Sequence, residues 1–322
     1  FKRPKVYIRW LSLLFRGSWV KVVAVVVTVF LVLYYSVGGW MVQNIDTTTD
    51  YEIRTTDNQS ATVEMMSFLI NREIRDNMWT PNLPFIFPSY FLDNMPNFQL
   101  GIVSSLKTTS AALAARLDKT VAQKSDMPLK SAAEYLSYPG TVWMFSPTNK
   151  LVPAPSAGSQ YRKARRQLLE YNQSLRDGSV FFYKSSADLA YFLQRIADDL
   201  WKSGTILEAQ VRENSSSWLD TKADDVFYFQ KGKVYAYYLL IKALGHDYKD
   251  IVVECDVYRP LTSILKTLED AALLNPTFVR NGETDSSSAP NSLMTAGYYT
   301  LKAASISKMV VDKLKNCVLN NQ

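Results

Sequence analysis

The sequence predicts a mainly α-helical fold, in which one N-terminal transmembrane helix is followed by an α-helical extracytoplasmic domain. Three observations lead to this prediction. Residues 22–42 form a long uncharged apolar run, most later segments carry apolar side chains at helical spacing, and an aromatic-rich helical stretch occurs twice. With 47% hydrophobic residues among 322, the chain has enough apolar material for a large folded core.

The apolar run (VVAVVVTVFLVLYYSVGGWMV) has the length of a helix that crosses a bilayer, which needs about 20 residues. Trp19 precedes it, and Tyr34, Tyr35 and Trp40 lie toward its far end, where aromatic rings favour the membrane interface. A signal peptide would have a shorter apolar region and a small-residue cleavage site, which is missing here. We therefore expect an uncleaved single-pass anchor.

The positive charge of the chain is concentrated before this run. Six of the 36 Lys and Arg residues precede the first acidic residue, Asp46, and the remaining 30 equal the 30 Asp and Glu residues. The body is thus neutral, which argues against a nucleic-acid partner. The positive-inside rule places residues 1–21 in the cytoplasm as a basic tail and residues 43–322 on the opposite side.

Lys5, Arg9 and Arg16 fall on one stripe if the tail is helical. Two interpretations are open: a helix lying on an anionic leaflet, or an ordinary juxtamembrane basic cluster. The residues predicted to lie at the membrane interface are Lys5, Arg9, Arg16, Trp19, Lys21, Tyr34, Tyr35 and Trp40.

Beyond a polar, Thr-rich linker at 43–60, residues 61–138 are expected to form a membrane-proximal helical lobe, with helices at about 61–78, 99–123 and 128–137. Four prolines between 81 and 96 interrupt it, with Phe85, Phe87, Tyr90 and Phe91 among them. Packing of this loop onto its own core is the preferred interpretation. A contact with lipid or with a partner protein is the alternative.

A Pro- and Gly-rich connector at 139–158 precedes a distal helical lobe at 159–322. Within that lobe VFFYKSSADLAYFL (180–193) returns 46 residues later as VFYFQKGKVYAYYL (226–239). Leu189, Leu193, Ile196 and Leu200 follow at helical spacing. This indicates an internal duplication, or two helices that pack alike in one bundle.

Two cysteines, Cys255 and Cys317, are a possible disulfide, which would stabilise the fold by about 4 kcal/mol, or two buried thiols. His246 is the only histidine and the two cysteines stand far apart, so no metal site is expected, and no motif in the sequence predicts a cofactor. We expect it to lie at a helix end that Gly245 terminates.

Other charged groups are assigned structural roles. Adjacent Asp198 and Asp199 are expected on the outer face of a helix, and Asp224 and Asp225 at a helix start. Arg162, Lys163, Arg165 and Arg166 are interpreted as a solvated helix face, with an anion site as the alternative. Lys231 and Lys233 in QKGKVY lack the glycine pattern of a phosphate loop.

The basic tail, the single anchor, the Pro-rich segment and FQKGKVYAYYLLIKALGHDY (229–248) together resemble an uncharacterised family of single-pass inner-membrane proteins of Gram-negative bacteria, defined as a domain of unknown function. The resemblance implies that residues 43–322 lie in the periplasm.

The leading functional hypothesis is a non-enzymatic, membrane-anchored periplasmic scaffold or accessory subunit. It would contact the lipid bilayer, other membrane or periplasmic proteins, and a second copy of itself. One alternative is a lipid-binding module with an aromatic-lined cavity between the two repeated helices. The other is an envelope enzyme acting on glycan or lipid through dispersed carboxylates such as Glu208, Asp225 and Glu254.

Overall fold

The structure, a computed structural model, describes residues 5–52, 55–56, 58–117, 127–145, 152–214, 221–276, 278–279 and 291–320. In the first helix the side chains are described from Trp19 onward, so those of Lys5, Arg9 and Arg16 lie outside the described set.

Within these residues the chain forms ten α-helices and no β-strand. The helices are α1 Lys5–Val42, α2 Ala61–Asn71, α3 Asn94–Leu117, α4 Pro128–Leu136, α5 Ala157–Arg176, α6 Ser186–Asn214, α7 Thr221–Asp247, α8 Lys249–Glu254, α9 Tyr258–Ala272 and α10 Ser292–Asn320. A π-helix, Arg72–Asp76, continues α2, and a short 3₁₀-helix, Pro88–Phe91, precedes α3. The predicted α-helical class is confirmed.

The tail and the apolar run form one continuous helix, α1. Its part Trp19–Val42, 24 residues long, is apolar enough to cross a membrane, and none of its most apolar window is buried inside the fold. The Val, Leu and Phe side chains between Val20 and Leu33 are exposed. This surface has no protein covering in the part of the chain that the structure describes.

The remaining helices enclose one large hydrophobic core. The principal pairs are α6 with α10, α3 with α7, and α4 with α5, while α9 packs on both α7 and α10. Residues on both sides of the 139–158 connector, such as Leu106 and Leu240, belong to this same core. A smaller cluster around Leu207 and Phe227 lies between α6, α7 and the start of α10.

The repeated stretches agree in their helical parts only. Leu189 and Leu193 in α6 and Tyr235 and Leu239 in α7 are all fully buried, as the spacing predicts. The aromatic triplets differ, because residues 181–183 precede α6 as irregular chain whereas 227–229 lie inside α7. The similarity is one of helix packing.

Several local predictions are corrected. α3 begins at Asn94, five residues earlier than expected; it is described as far as Leu117, and the rest of the predicted range lies outside the described residues. The helix before it turns into the π-helix at Arg72, and Met78 beyond it is exposed with φ at 58°. Gly245 does not end α7, which continues to Asp247. Asp199 does not face solvent: its carboxylate contacts the buried ammonium of Lys233 at 2.9 Å and accepts a hydrogen bond from Tyr237 at 2.5 Å.

Cys255 and Cys317 form a disulfide with a Cα–Cα distance of 5.6 Å. The bond joins the residue after α8 to the last turn of α10. It therefore closes a loop of 62 residues that contains α9.

Candidate functional site

The proline-rich loop 81–92 lies against the C-terminal part of α1. The Tyr34 hydroxyl donates to the carbonyl oxygen of Ile86 at 2.8 Å, and the Tyr35 hydroxyl donates to that of Phe85 at 2.5 Å. The Tyr35 ring meets the Phe91 ring edge to face at 4.9 Å. These contacts fasten the loop to the apolar helix.

Small residues in α1 make this approach possible. A Cβ atom on Gly38 would lie 2.6 Å from the Cβ of Pro88, closer than side-chain carbons can come. Within the loop, the amide of Phe87 donates to the carbonyl of Pro84, and that of Tyr90 donates to the carbonyl of Phe87. Because proline has no N–H group, the loop also presents few unpaired donors.

The apolar side chains of this loop point away from the core. Phe85 is 66% exposed and Phe91 70%, and Ile86 and Tyr90 are also exposed, whereas Phe87 is half-buried. The preferred interpretation, packing onto the core, is therefore wrong for three of the four candidate residues. We name the exposed group Phe85, Ile86, Tyr90 and Phe91 the apolar tip.

The predicted linker is docked on the domain where it leaves α1. The carbonyl of Thr48 accepts a hydrogen bond from the Tyr235 hydroxyl at 2.8 Å, and that of Thr49 accepts one from Lys242 at 3.2 Å. Ile45 and Tyr51 pack against the core. The position of α1 relative to the domain is thus set by loop 81–92, which contacts the helix, and by the segment that follows the helix, which contacts α7.

A buried ion pair supports this junction. The Arg72 guanidinium contacts the Glu73 carboxylate at 2.6 Å, donates to the Tyr235 hydroxyl at 2.6 Å, and lies 3.7 Å from Asp46. Burial is the largest single influence and works against its charge, but Glu73, Tyr235 and Tyr51 together outweigh it and raise the pKa of Arg72. Gln99 donates to the Glu73 backbone, which ties α3 to the same network. The pair joins the π-helix to α7 and to residues 43–52 after α1, which we name the exit segment.

A cavity of about 520 Å³ lies at the C-terminal end of α1, beside the exit segment. Lys231 of α7 is the only cationic residue among the described residues that line it; the side chain is 6% exposed and its ammonium donates to the carbonyl of Leu274 at 2.7 Å. Burial lowers the pKa of Lys231 to about 8. The lining residues are Trp40, Gln43, Asn44, Ile45, Thr47, Tyr228, Lys231, Leu273 and Asn275.

The repeated helices α6 and α7, with Asn97 of α3, enclose a smaller cavity of about 210 Å³. Its walls are largely apolar and include Phe229 and Ile206. The volume lies below the 300–1,000 Å³ typical of small-molecule sites. A third cavity, lined by arginines of α5, is considered below.

Three carboxylates cluster where α7 begins and α3 approaches it. Burial and the charges of Asp93 and Asp225 raise the pKa of Asp224 to about 6, and Asn97 donates to Asp225 at 2.6 Å. Among the described residues no group of His, Cys, Asp and Glu side chains has the arrangement of a metal site. The prediction that Asp224 or Asp225 directly precedes the helix and caps it is wrong, because α7 begins at Thr221 and both carboxylates lie within its first two turns.

The dispersed carboxylates of the enzyme hypothesis are not assembled. The cavity that Asp225 lines includes neither Glu208, which pairs with Arg212, nor Glu254, which ends α8. His246 is exposed in the last turn of α7. Its neighbour Asp247 is buried and instead accepts hydrogen bonds from the backbone amides of Ala61 and Thr62, capping α2.

Sequence reasoning missed the roles of Lys231 and Asp247. Two signals were present: a lysine in the middle of a strongly apolar helix, and an aspartate directly after a helix-end histidine. Neither signal identifies the partner, because Lys231 contacts a residue 43 positions away and Asp247 contacts one 186 positions away.

The fold and this junction define a class: mainly α-helical proteins in which a single N-terminal apolar helix is fastened to a helical domain by a proline-rich aromatic loop. Residues 9–216 and 202–314 match the family DUF2333, described as an uncharacterised protein conserved in bacteria. The chain belongs to this family, which confirms the resemblance to a bacterial family of unknown function. No curated protein and no solved structure matches the chain.

Proposed function

We propose that this protein is a non-enzymatic component of the cell envelope, in which α1 crosses the inner membrane and holds the helical domain on the periplasmic surface as a scaffold or accessory subunit. The single observation that carries the proposal is the fastening of the apolar tip to α1 by Tyr34 and Tyr35. Residues 1–21 would be cytoplasmic.

The proposed orientation of α1 in the membrane is supported by features on both sides of its apolar part. Basic residues precede the apolar part of α1, as in segments retained in the cytoplasm. The domain after it carries the Cys255–Cys317 disulfide, and such bonds persist in oxidising compartments such as the periplasm. Both features agree with a periplasmic domain.

An uncleaved anchor is supported by the contacts of α1 itself. Tyr34, Tyr35 and Gly38 lie within the apolar part of the helix and are packed against loop 81–92. A signal peptide is removed during export. Its removal here would strip the loop of these partners and uncover the Phe91 ring.

The apolar tip is suited to enter the outer half of the bilayer. Tyr34 and Tyr35 precede Val42, the end of α1, by eight and seven residues, which at 1.5 Å per residue corresponds to about 10–12 Å along the helix. At that depth irregular backbone persists only if its polar groups are paired. The two tyrosine hydroxyls pair two of the loop carbonyls.

Spin labelling tests this placement. A nitroxide at Phe91→Cys in the full chain, reconstituted in bilayers, is expected to collide with oxygen and to be shielded from a water-soluble nickel chelate. The matched control is Tyr258→Cys, because Tyr258 is a similarly exposed aromatic residue at the start of α9. It lies about 22 Å along that helix from Leu273, which lines the cavity around Lys231. Equal chelate access at both labels would refute insertion of the tip.

The scaffold role is tested by native mass spectrometry after gentle extraction. We expect a stoichiometric partner or a defined oligomer. The control variant Tyr258→Ser should give a complex of the same mass. A bare monomer would count against the scaffold.

Lipid binding is the second candidate, and the cavity around Lys231 favours it. A buried ammonium whose hydrogen-bond partner is a carbonyl suits the phosphate of a lipid headgroup at the end of α1. Lys231→Met should then reduce co-purified anionic phospholipid severalfold, whereas the exposed Lys249→Met should not. Equal lipid content in the two variants would exclude the cavity as a headgroup site.

A further inference from the structure

A cleft between the π-helix and the first half of α5 is lined by four arginines. Arg162, Arg165 and Arg166 come from α5, and Arg75 comes from the π-helix. The cavity measures about 580 Å³, within the range of small-molecule sites. Its other lining residues are Ile70, Asn71, Ile74 and Ser159.

The π-helix explains how Arg75 reaches the cleft. Arg72 and Glu73 are committed to the buried network inside the core, while Ile74 and Arg75 face α5. A π-helix has a wider turn than an α-helix and often marks a functional site. Here it lets one short segment serve both the core and the cleft.

The charges of the cleft are not balanced by carboxylates. No acidic residue lines it, and within the described part of the chain none of the four arginines forms an ion pair. Asp76, which follows Arg75 in the chain, accepts a hydrogen bond from Asn71 and is exposed. The Nε of Arg165 is buried and has no hydrogen-bond partner. Arg75, Arg162 and Arg166 are exposed, so solvent weakens the repulsion among the four like charges, and a shared anion would remove it.

Two further features favour an anion. Ser159 lies in the first turn of α5, where the helix dipole is positive. Guanidinium groups bind phosphate through paired, charge-assisted hydrogen bonds. Lys163, which the sequence grouped with these arginines, lies over the Tyr135 ring instead and does not line the cleft.

We propose that the arginine cleft binds a phosphate group, carried either by a soluble phosphate compound or by an anionic phospholipid headgroup. Ten residues separate Arg75 from Phe85 of the apolar tip, so the chain holds the cleft at most about 35 Å from the tip. The site is separate from the cavity of Lys231, and binding there does not depend on the scaffold role.

The test uses the full chain in phosphatidylcholine nanodiscs, titrated with pyrophosphate by calorimetry. The variant Arg162→Gln/Arg165→Gln removes two charges from the cleft. The control Arg195→Gln/Arg259→Gln removes two exposed charges elsewhere. Cleft binding predicts saturable affinity that falls at least about tenfold in the first variant and less than about twofold in the second.

A second arm identifies the source of the phosphate. Nanodiscs with a quarter phosphatidylglycerol are dissolved in mild detergent, and retained lipid is counted by mass. If the parent and the control variant retain phosphatidylglycerol and the cleft variant loses it, the site binds a lipid headgroup. If the parent binds pyrophosphate but retains no phosphatidylglycerol, the site binds a soluble ligand. The proposal is overturned if neither probe binds, or if both variants lose affinity equally.

Stability provides a readout that does not need the ligand. Since the uncompensated charges repel, the cleft variant without phosphate should unfold at a temperature roughly 2 °C higher than the parent. The control variant should show no such rise. An unchanged or lower value for the cleft variant would contradict the mutual repulsion of these charges, on which the proposal rests.

Discussion

Gly101 of α3 and Gly232 of α7 meet where these two helices cross, with their backbones in direct contact. A Cβ atom on Gly101 would lie 2.0 Å from the carbonyl oxygen of Phe229, and one on Gly232 would lie 2.0 Å from that of Phe98. The hydroxyl of Ser105 also donates to the carbonyl of Lys233 across the crossing. This contact lets α7 run through the centre of the domain with Lys231 and Lys233 on its two sides.

Gly232→Ala is therefore expected to destabilise the fold by about 3 kcal/mol, because the added methyl group must push two helix backbones apart. Chemical denaturation of the full chain in detergent measures this loss. The control is Gly297→Ala in α10, where the new Cβ would lie 3.6 Å from Leu207. There alanine should be neutral or stabilise by up to about 1 kcal/mol. Equal effects at the two sites would disprove the close crossing.

Asp247→Ala should destabilise by about 3 kcal/mol, since it removes a buried carboxylate that caps α2 from another helix. The lost partners are the amides of Ala61 and Thr62 and the hydroxyls of Ser60 and Thr62, at 2.7–2.9 Å. Thermal unfolding and amide exchange of α2 measure the change. Exposed Asp198→Ala should stay within about 0.5 kcal/mol; a loss as large as at Asp247 would contradict the capping role.

How far the sequence predicts this fold follows from the range of its signals. Leu189, Leu193, Ile196 and Leu200 repeat at helical spacing, and all four are buried, because periodicity within one helix is a local property. The apolar part of α1 is likewise recognised from one continuous stretch of sequence. Contacts between distant segments are not predictable in this way. The sequence predicts Asp199 on the outer face of its helix because its partner, Lys233, lies on a different helix.

The candidate site shows the same division. Proline spacing correctly excluded a regular helix from loop 81–92, but which side chains the loop exposes depends on α1, 50 residues away. The basic spacing of Arg162, Arg165 and Arg166 was visible, whereas the contribution of Arg75 required the π-helix and its packing on α5. Local patterns thus identified the helices, and tertiary packing decided the sites.

Stability should fall as the pH rises through the titration of Asp224. Burial and the charges of Asp93 and Asp225 raise its pKa from 3.8 to about 6. The unfolded chain loses this proton first, so the free energy of unfolding decreases between about pH 4 and pH 6 and stays lower above that. Because the side chain is half-exposed, we discount the full linkage value to about 1 kcal/mol.

Asp224→Asn removes the charge and should be more stable than the parent at pH 7.5 by that amount, and equal to it near pH 4. Urea unfolding at both values measures the difference. Asp198→Asn, an exposed change of the same kind, should show no such pH dependence. A variant that gains equally at both pH values would mean that the effect is not ionisation of Asp224.

The Cys255–Cys317 bond should contribute about 4 kcal/mol, because it closes a loop of 62 residues in the unfolded chain. Cys255→Ser/Cys317→Ser is expected to lower the free energy of unfolding by that amount, with α9 exchanging its amides faster. A reducing agent should produce the same loss in the parent and no change in the variant. Thiol labelling of membranes before reduction should detect no free thiol, since the bond forms only if the domain enters an oxidising compartment. Free thiols in the parent would contradict both the bond and the periplasmic placement of the domain.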